Sequence, residues 1–456
     1  MKKNIYAILI IAACLLMVSC KKQDDFLNAK PNQALFVPST LKDLENILND
    51  QNIFNTGDPG LGELASDDYY VTSDILNNED ITDRNGYIWA KQLYNVGQNV
   101  NDWSVPYQQV YHANTILDYL PKISTSPTQV AEANQIKGSA LFFRSMAFYN
   151  LVQTFAMPYD VKTASVDLGI PLRLTSDLNI KSVRATVQQC YDQIIADLQT
   201  ALPLLPLKAK YQTLPSQPAA NALLARAYLA MANYPMALQH ADACLNQFNT
   251  LTDYNTLNPT PYAINTSLLS DDIFHTSQQG WDLTFPNYVG IADSTLYKSY
   301  AANDLRKTAC FVLNGALPYF SGTYDLQYSN YSGIATDEVY LIRAECNARA
   351  GNTSGALKDL NTLLATRWKS GTFIAYTANS PDQALTAILS ERRKELLFRG
   401  LRWTDLRRLN KETRFAITLT RTYNGTTYTL PPNDPRYAMP IPDNEISNSG
   451  IQQNPR

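Results

Sequence analysis

Two stretches of the sequence carry one pattern, and that repeat constrains the fold more than any other feature. "ARAYLAMANYPMALQHADACL" begins at Ala225 and "AECNARAGNTSGALKDLNTLL" begins at Ala344. At a constant offset of 119 residues, Ala225 matches Ala344, Asn233 matches Asn352, and Ala237-Leu238 matches Ala356-Leu357. Small residues at matched positions let paired helices approach closely, and a short turn reverses the chain between them. Such a pair cannot bury its apolar face alone, so neighbouring pairs must stack on it. The chain is therefore expected to be built from stacked helices.

The rest of the helical signal agrees. "STLKDLENILND" opens a helix, with Ser39 as its expected cap and Leu41, Leu44, Ile47 and Leu48 on one face. From Trp103 onward, Trp103, Tyr107, Val110, Tyr111, Asn114 and Leu117 share one stripe. Further helices are expected at about 129–155, 185–202, 217–232, 235–247, 336–350, 353–368, 382–399 and 401–409. "TLTRTYNGTTYTL" reads as a hairpin turning at Asn424-Gly425, and the closing "YAMPIPDNEISNSGIQQNPR" reads as loop. Residues 51–100 and 250–335 lose the period and fill with Tyr, Asn, Asp, Gly, Ser and Pro. The expected fold class is mainly α, a tetratricopeptide-like α-α superhelical scaffold with long irregular insertions and a small β-hairpin. The irregular segments are then what the scaffold carries.

The N-terminus carries an address. After Met-Lys-Lys, an apolar run from Ile5 to Ser19 covers 15 residues, short of the ~20 that span a bilayer as a helix. In "LLMVSCKKQDDFL" the run stops at Cys20, and charge follows at once. This resembles a bacterial lipobox, with Met17 where leucine is usual. The rival Cys14 is followed by apolar "LLMV", so the run does not end there. Residues 1–19 are expected to be a signal peptide and Cys20 the lipidated first residue of a mature chain over 20–456. That chain divides into an N-terminal part at about 20–250 and a C-terminal part at about 251–456. Acyl chains add about 0.8 kcal/mol per buried CH₂, which makes a multi-acyl cysteine a firm anchor.

Removal of residues 1–19 would leave 437 residues and shift the formal net charge from −3 to −5, because Lys2 and Lys3 go with them. Slight acidity without a basic tract argues against nucleic acid as a partner. Cys190, Cys244, Cys310 and Cys346 lie far apart without CxxC spacing and are expected as buried thiols. His112, His240 and His275 are widely separated, and no HExxH, GxSxG or EF-hand pattern occurs, so neither a metal nor another cofactor is expected. "GNTSGALK" at Gly351 lacks the Gly-Lys-Ser/Thr ending of a phosphate loop and falls on a helix-pair turn. Asp67 and Asp68 are adjacent acids in a loop, where solvated side chains are the ordinary outcome. In "SERRKELLFRGLRW", Arg392 and Arg399 share a largely apolar helix face, with Glu395 at its edge. Buried charges need partners, so this segment is expected to be a structural ion-pair network.

Several ordered stretches together resemble the SusD/RagB family of Bacteroidetes surface lipoproteins. They are the lipobox with "DDFLNAKP", "YQQVYHANTIL", "IKGSALFFRSMAFYNLVQTF", "LGIPL", "ATVQQCYDQIIADLQTALPLLP", "EVYLIRAECNARAGN", "SERRKELLFRGLRWTDLRRLN" and "PIPDNEISNSGIQQNP". The resemblance spans about residue 20 to residue 456. It implies the helical fold above and a non-enzymatic role at the outer membrane, anchored by lipid and facing outward. There such proteins capture an oligosaccharide, or in some members a peptide, and deliver it to a SusC-like TonB-dependent transporter. Two other classes stay open: a helical-repeat scaffold that binds only protein, and an exported hydrolase.

A sugar site needs exposed aromatic faces edged by polar side chains. Outside regular helix, one stretch offers Tyr69, Tyr70, Arg84, Tyr87 and Trp89, and another offers Gln279, Trp281, Asp282, Phe285, Asn287 and Tyr288. The resemblance points to the same two regions. The expected ligand-binding residues are Tyr69, Tyr70, Arg84, Tyr87, Trp89, Trp281, Phe285 and Tyr288. Trp103 and Trp403 are expected in the core.

Overall fold

The computed structural model describes residues 37–286 and 289–456. The leader, Cys20 and the pair Asn287-Tyr288 lie outside the described residues. The repeated pattern forms two helix pairs, Gln217–Ala230 with Tyr234–Gln247 and Thr336–Arg349 with Thr353–Ala365. Their turns share one pattern of capping. Asn233 caps the second helix of one pair by accepting from the Met236 N–H at 3.4 Å, and Asn352 caps the other by accepting from Gly355 at 3.0 Å. The residue before each cap is left-handed, Ala232 at φ 55° and Gly351 at φ 82°. The matched alanines 225, 237, 344 and 356 are fully buried.

Thr336–Arg349 packs against Tyr234–Gln247 and against Pro381–Glu395, so the copies are adjacent in space although the 250–335 segment separates them in sequence. Val130–Phe155 packs between Asn101–Tyr119 and Val187–Ala201 and extends the stack. Trp103 and Trp403 are core residues, 6% and 2% exposed. Among the described residues, no helix is long and apolar enough to cross a membrane. Cys190, Cys244 and Cys346 are buried thiols, whereas Cys310 is half-buried; all four are free.

Four local readings are corrected. The cap of Leu41–Leu48 is Thr40, which accepts from Asp43 N–H, while Ser39 donates to the Asp43 carboxylate. The helix Pro381–Glu395 stops short of 399, because Phe398 and Gly400 take φ of 55° and 71°. The C-terminal loop contains a helix, Asp443–Ser449, closed by left-handed Gly450. The segment at 51–100 holds short helices, including Ile81–Tyr87, and the segment at 250–335 supplies most of a four-stranded sheet. In that sheet Tyr69–Tyr70 pairs with Ile291–Ala292, which pairs with Leu317–Phe320, which pairs with Phe311–Asn314. The hairpin Leu419–Tyr423/Thr426–Leu430 turns at Asn424-Gly425, with φ of 46° and 74°.

The charged C-terminal segment is an ion-pair network. Arg392 Nε bonds Asp405 at 2.8 Å, Arg399 Nη1 bonds Asp337 at 2.6 Å, and Glu395 accepts from Arg306 at 2.9 Å and Arg367 at 2.6 Å. Burial alone would raise the Asp337 carboxyl, but Arg399 and Arg367 outweigh it and hold the group below the usual carboxylate range. Asp67 and Asp68 are not solvated loop acids. Arg402 forks onto Asp67 at 2.6 and 2.8 Å, and Arg393 bonds Asp68 at 2.9 Å, which ties the N-terminal segment to the C-terminal helices.

Candidate ligand-binding site

The structure closes the first expected platform. Tyr69, Tyr87 and Trp89 are 3%, 2% and 4% exposed, so little of each ring reaches the cleft that they line with Tyr70. Arg421 from the β-hairpin fills the space between them, with its guanidinium carbon 5.2, 3.8 and 4.8 Å from the three ring centres. It donates to the Leu64, Ser66 and Tyr87 carbonyls. Strand alternation explains its burial, since Arg421 shares the inward face of its strand with Leu419. The Trp89 indole N–H is spent on the Ala65 carbonyl at 2.9 Å, and Tyr69 donates to the Leu64 carbonyl at 2.7 Å. Tyr70 is half-exposed beside a cleft of about 520 Å³ along the hairpin, and Arg84 is half-exposed on its short helix.

The second expected platform is largely packed as well. Trp281 is half-buried against the core and lies over Gly60, where an added Cβ would come within 3.0 Å of its ring. Beneath it, Asp102 accepts from the Gly60 and Leu61 N–H groups at 2.7 and 2.8 Å. Burial pushes the Asp102 carboxyl up to about 6. The Phe285 ring covers Gly280, where a Cβ would meet it at 2.1 Å. Tyr288 lies outside the described residues.

The open groove lies one step away from these aromatics. It has a volume of about 530 Å³, between the short helix Gln51–Phe54, the stretch 275–280 and the loop 325–329. The side chains of Gln51, Asn52, Gln108 and Gln327 line it, are exposed, and have no hydrogen-bond partner within the described residues. Asn55 braces the floor by donating to the Thr213 and His275 carbonyls at 3.0 and 2.8 Å. Tyr328 stands at the rim between lining residues Gln327 and Ser329, left-handed at φ 62° and 59% exposed. The ring of Tyr262, itself 42% exposed, meets it edge-on at 4.7 Å.

The charged side chains lining this groove are committed to each other. His275 Nδ1 bonds Asp272 at 2.6 Å and Nε2 bonds Asp325 at 3.3 Å. Burial disfavours the imidazolium, yet the hydrogen bonds to Asp272 and Asp325 outweigh it and push its pKa up to about 9. Asp272 also accepts from the Tyr331 hydroxyl at 2.6 Å, and Asp325 accepts from Ser329 N–H at 3.1 Å. The triad thus pins the 325–329 loop, and neither carboxylate is free for acid–base work. The groove can recognise hydroxyls through amides that both donate and accept, with an aromatic face at its edge.

Sequence reasoning missed Tyr262 and Tyr328, although both lie in the Tyr-rich 250–335 segment. Tyr262 stands alone in its stretch, and Tyr328 sits between Tyr324 and Tyr331, which the fold buries; the edge-on pair forms only in the fold.

Comparison with known proteins gives a consistent result. A family model described as "starch-binding associating with outer membrane" matches residues 25–229, and a SusD family model matches residues 336–456. A SusD-like protein P2 of Formosa agariphila is 25% identical over 403 residues, covering 73% of this chain and 74% of that one. A SusD superfamily structure from Bacteroides thetaiotaomicron superposes with a TM-score of 0.70 at 24% identity, covering 91% of this chain and 100% of that one. A SusD-like carbohydrate-binding protein from Bacteroides vulgatus does so with a TM-score of 0.68 at 19% identity, covering 91% and 97%. At these identities the structural likeness is one of fold.

Proposed function

The chain belongs to the SusD/RagB family, and on that premise we propose that it captures a neutral oligosaccharide in the amide-lined groove and delivers it to a SusC-like TonB-dependent transporter. The family is carbohydrate-binding and associated with the outer membrane. Attachment through acylated Cys20 and an outward-facing orientation belong to the same proposal. The observation that carries it is the groove itself: among the described residues it has free amides along its walls, an exposed tyrosine pair at its rim, and no uncommitted charge. A sulfated or uronic glycan would call for unpaired Arg or Lys, because charge-assisted hydrogen bonds are what hold such groups. A neutral polyol needs mixed donors and acceptors, which glutamine and asparagine supply.

Calorimetric titration against neutral polysaccharides, acidic polysaccharides and peptides tests the ligand class. Binding confined to one or more neutral glycans is expected, and binding only of an acidic glycan or of peptides would sink the reading. For the anchor, Cys20→Ala should abolish acyl labelling and release the protein from membranes; labelling that persists would point to Cys14. For delivery, purification in mild detergent should bring down a large β-barrel, and repeated isolation without one would count against it.

A further inference from the structure

A second cavity of about 400 Å³ opens on the other side of Gln108, the residue that lines both it and the groove. Its floor is the stripe visible in the sequence. Trp103, Tyr107 and Tyr111 follow one another at four-residue intervals along the helix Asn101–Tyr119. At 1.5 Å rise per residue the stripe runs for about 12 Å, long enough for more than one sugar ring. Trp103 is held by Tyr107 at 4.8 Å and, edge-on, by Phe155 at 5.0 Å. Tyr107 donates its hydroxyl to the Pro171 carbonyl at 2.9 Å, so its ring is fixed. The Tyr111 ring is half-exposed, and its hydroxyl has no partner within the described residues.

The opposite wall is rigid too. Arg173 turns its guanidinium back onto its own loop, donating to the Asp177 carbonyl at 2.6 Å, to the Ile180 carbonyl and to Ser182 Oγ at 3.3 Å. Asn114 donates from the helix to the Arg173 and Thr175 carbonyls at 2.9 and 3.2 Å. Leu178, 75% exposed, overhangs the floor from this loop. Among the described residues the Glu445 carboxylate lines the edge without a partner, and the only lining cation, Arg173, is spent on its loop. The cavity is therefore preformed, aromatic-floored, and unsuited to an anion.

We propose that this cavity is a second sugar subsite continuous with the groove, so that one neutral glycan chain lies across Gln108 and occupies both. The inference rests on the function proposed above and extends it to chain length. Gln108 meets the chain at the crossing, Tyr107 and Tyr111 stack under the sugars beyond it, and Glu445 accepts from their hydroxyls.

Affinity electrophoresis of the full chain through soluble starch, laminarin, galactomannan and arabinan tests it, with Tyr111→Ala and Tyr328→Ala beside wild type. Titration with the di- and trisaccharide of whichever polymer retards the protein completes the set. Each variant should weaken polymer binding about five- to tenfold, while only Tyr328→Ala weakens binding of the short sugars. Polymer binding unchanged in Tyr111→Ala would overturn the second subsite and leave the groove standing. Loss in Tyr111→Ala with none in Tyr328→Ala would place the sugar in the second cavity alone and overturn the continuous path. Absence of retardation by all four polymers would overturn this inference, whereas the wider titration panel decides the function separately. Melting curves of both variants show that they are folded.

Discussion

Two tyrosine-rich segments leave the helical scaffold, one at 51–100 and one at 250–335, and they meet opposite fates. In the first, Tyr69, Tyr87 and Trp89 wrap a cation from the same chain, and the cage is full. In the second, Tyr262 and Tyr328 meet edge-on in solvent beside unpartnered amides. Composition does not separate the two cases. What separates them is whether a remote element supplies a partner: the hairpin delivers Arg421 to the first segment, and no described residue fills the groove beside the second. An aromatic cluster with its own internal cation is structure, whereas one left beside free amides is available for a ligand.

The largest expected effect tests the cage. Arg421→Ala would leave the Ser66 and Tyr87 carbonyls without their donor, while Leu64 keeps that of Tyr69, and would open a void among three rings. Leaving two buried carbonyls unsatisfied should cost roughly 1–3 kcal/mol each, and the void adds to that loss. Denaturant unfolding should register that loss, while glycan affinity of the surviving folded protein stays at the wild-type value. A variant of unchanged stability with lost binding would make the cage a ligand site after all.

The next effect separates the regions by pH. The pKa of His275 is raised in the folded state, to about 9 from an ordinary 6.5, because Asp272 and Asp325 hold the imidazolium against the cost of burial. Its contribution to stability is fully present below pH 6.5 and is lost as pH rises through about 9. The shift corresponds to something on the order of 3 kcal/mol. No histidine lies among the rings of the cage, so the groove wall should loosen in mild alkali while the cage does not. Unfolding measured at pH 6, 8 and 10 should show the fall in wild type and a flatter profile in His275→Gln. Parallel profiles for the two proteins would remove His275 from the explanation.

The same contrast shows what a sequence reveals. Helices were legible because each carries its own period and caps; the Asn233 and Asn352 turns could be matched from letters alone. The central sheet was not, because its strands are two to four residues long and Tyr69 pairs with Ala292 across nearly half of the chain. Alternation over two residues carries no signal. The C-terminal helix Asp443–Ser449 did leave a signal, with acids in its first turn and Gly450 at its end, inside a segment read as loop. For the site, the right segments were legible but not the right side chains. Gln279 lines the groove, while neighbouring Trp281 turns inward onto Gly60. Which aromatic faces water is decided by distant partners. One clue did exist: the alternation of "LTRTY" put Arg421 on the buried face with Leu419, and a buried cation demands a cage.

A smaller effect tests the groove directly. Tyr328→Ala removes an exposed face that supports no core, so stability should hold. Glycan affinity should drop about tenfold, near 1.4 kcal/mol. Equal affinity in wild type and variant would leave the amides as the whole site.

The smallest expected effect asks whether the open pair is prearranged as the closed cage is. Neither ring lines the groove wall: Tyr328 is carried at the rim between lining residues Gln327 and Ser329, and Tyr262 meets it edge-on at 4.7 Å and 72°. Edge-to-face pairs contribute about 0.5–1.5 kcal/mol, and here that energy holds a left-handed tyrosine in one orientation before a ligand arrives. Binding to an already ordered side chain avoids the entropy of ordering it. Tyr262→Ala should therefore weaken glycan binding by only about threefold, ~0.7 kcal/mol. The cycle with Tyr328→Ala gives the decisive comparison. If Tyr262 acts through Tyr328, the double variant binds no worse than Tyr328→Ala alone. If the two losses add, Tyr262 touches the sugar itself, and the platform is two rings wide.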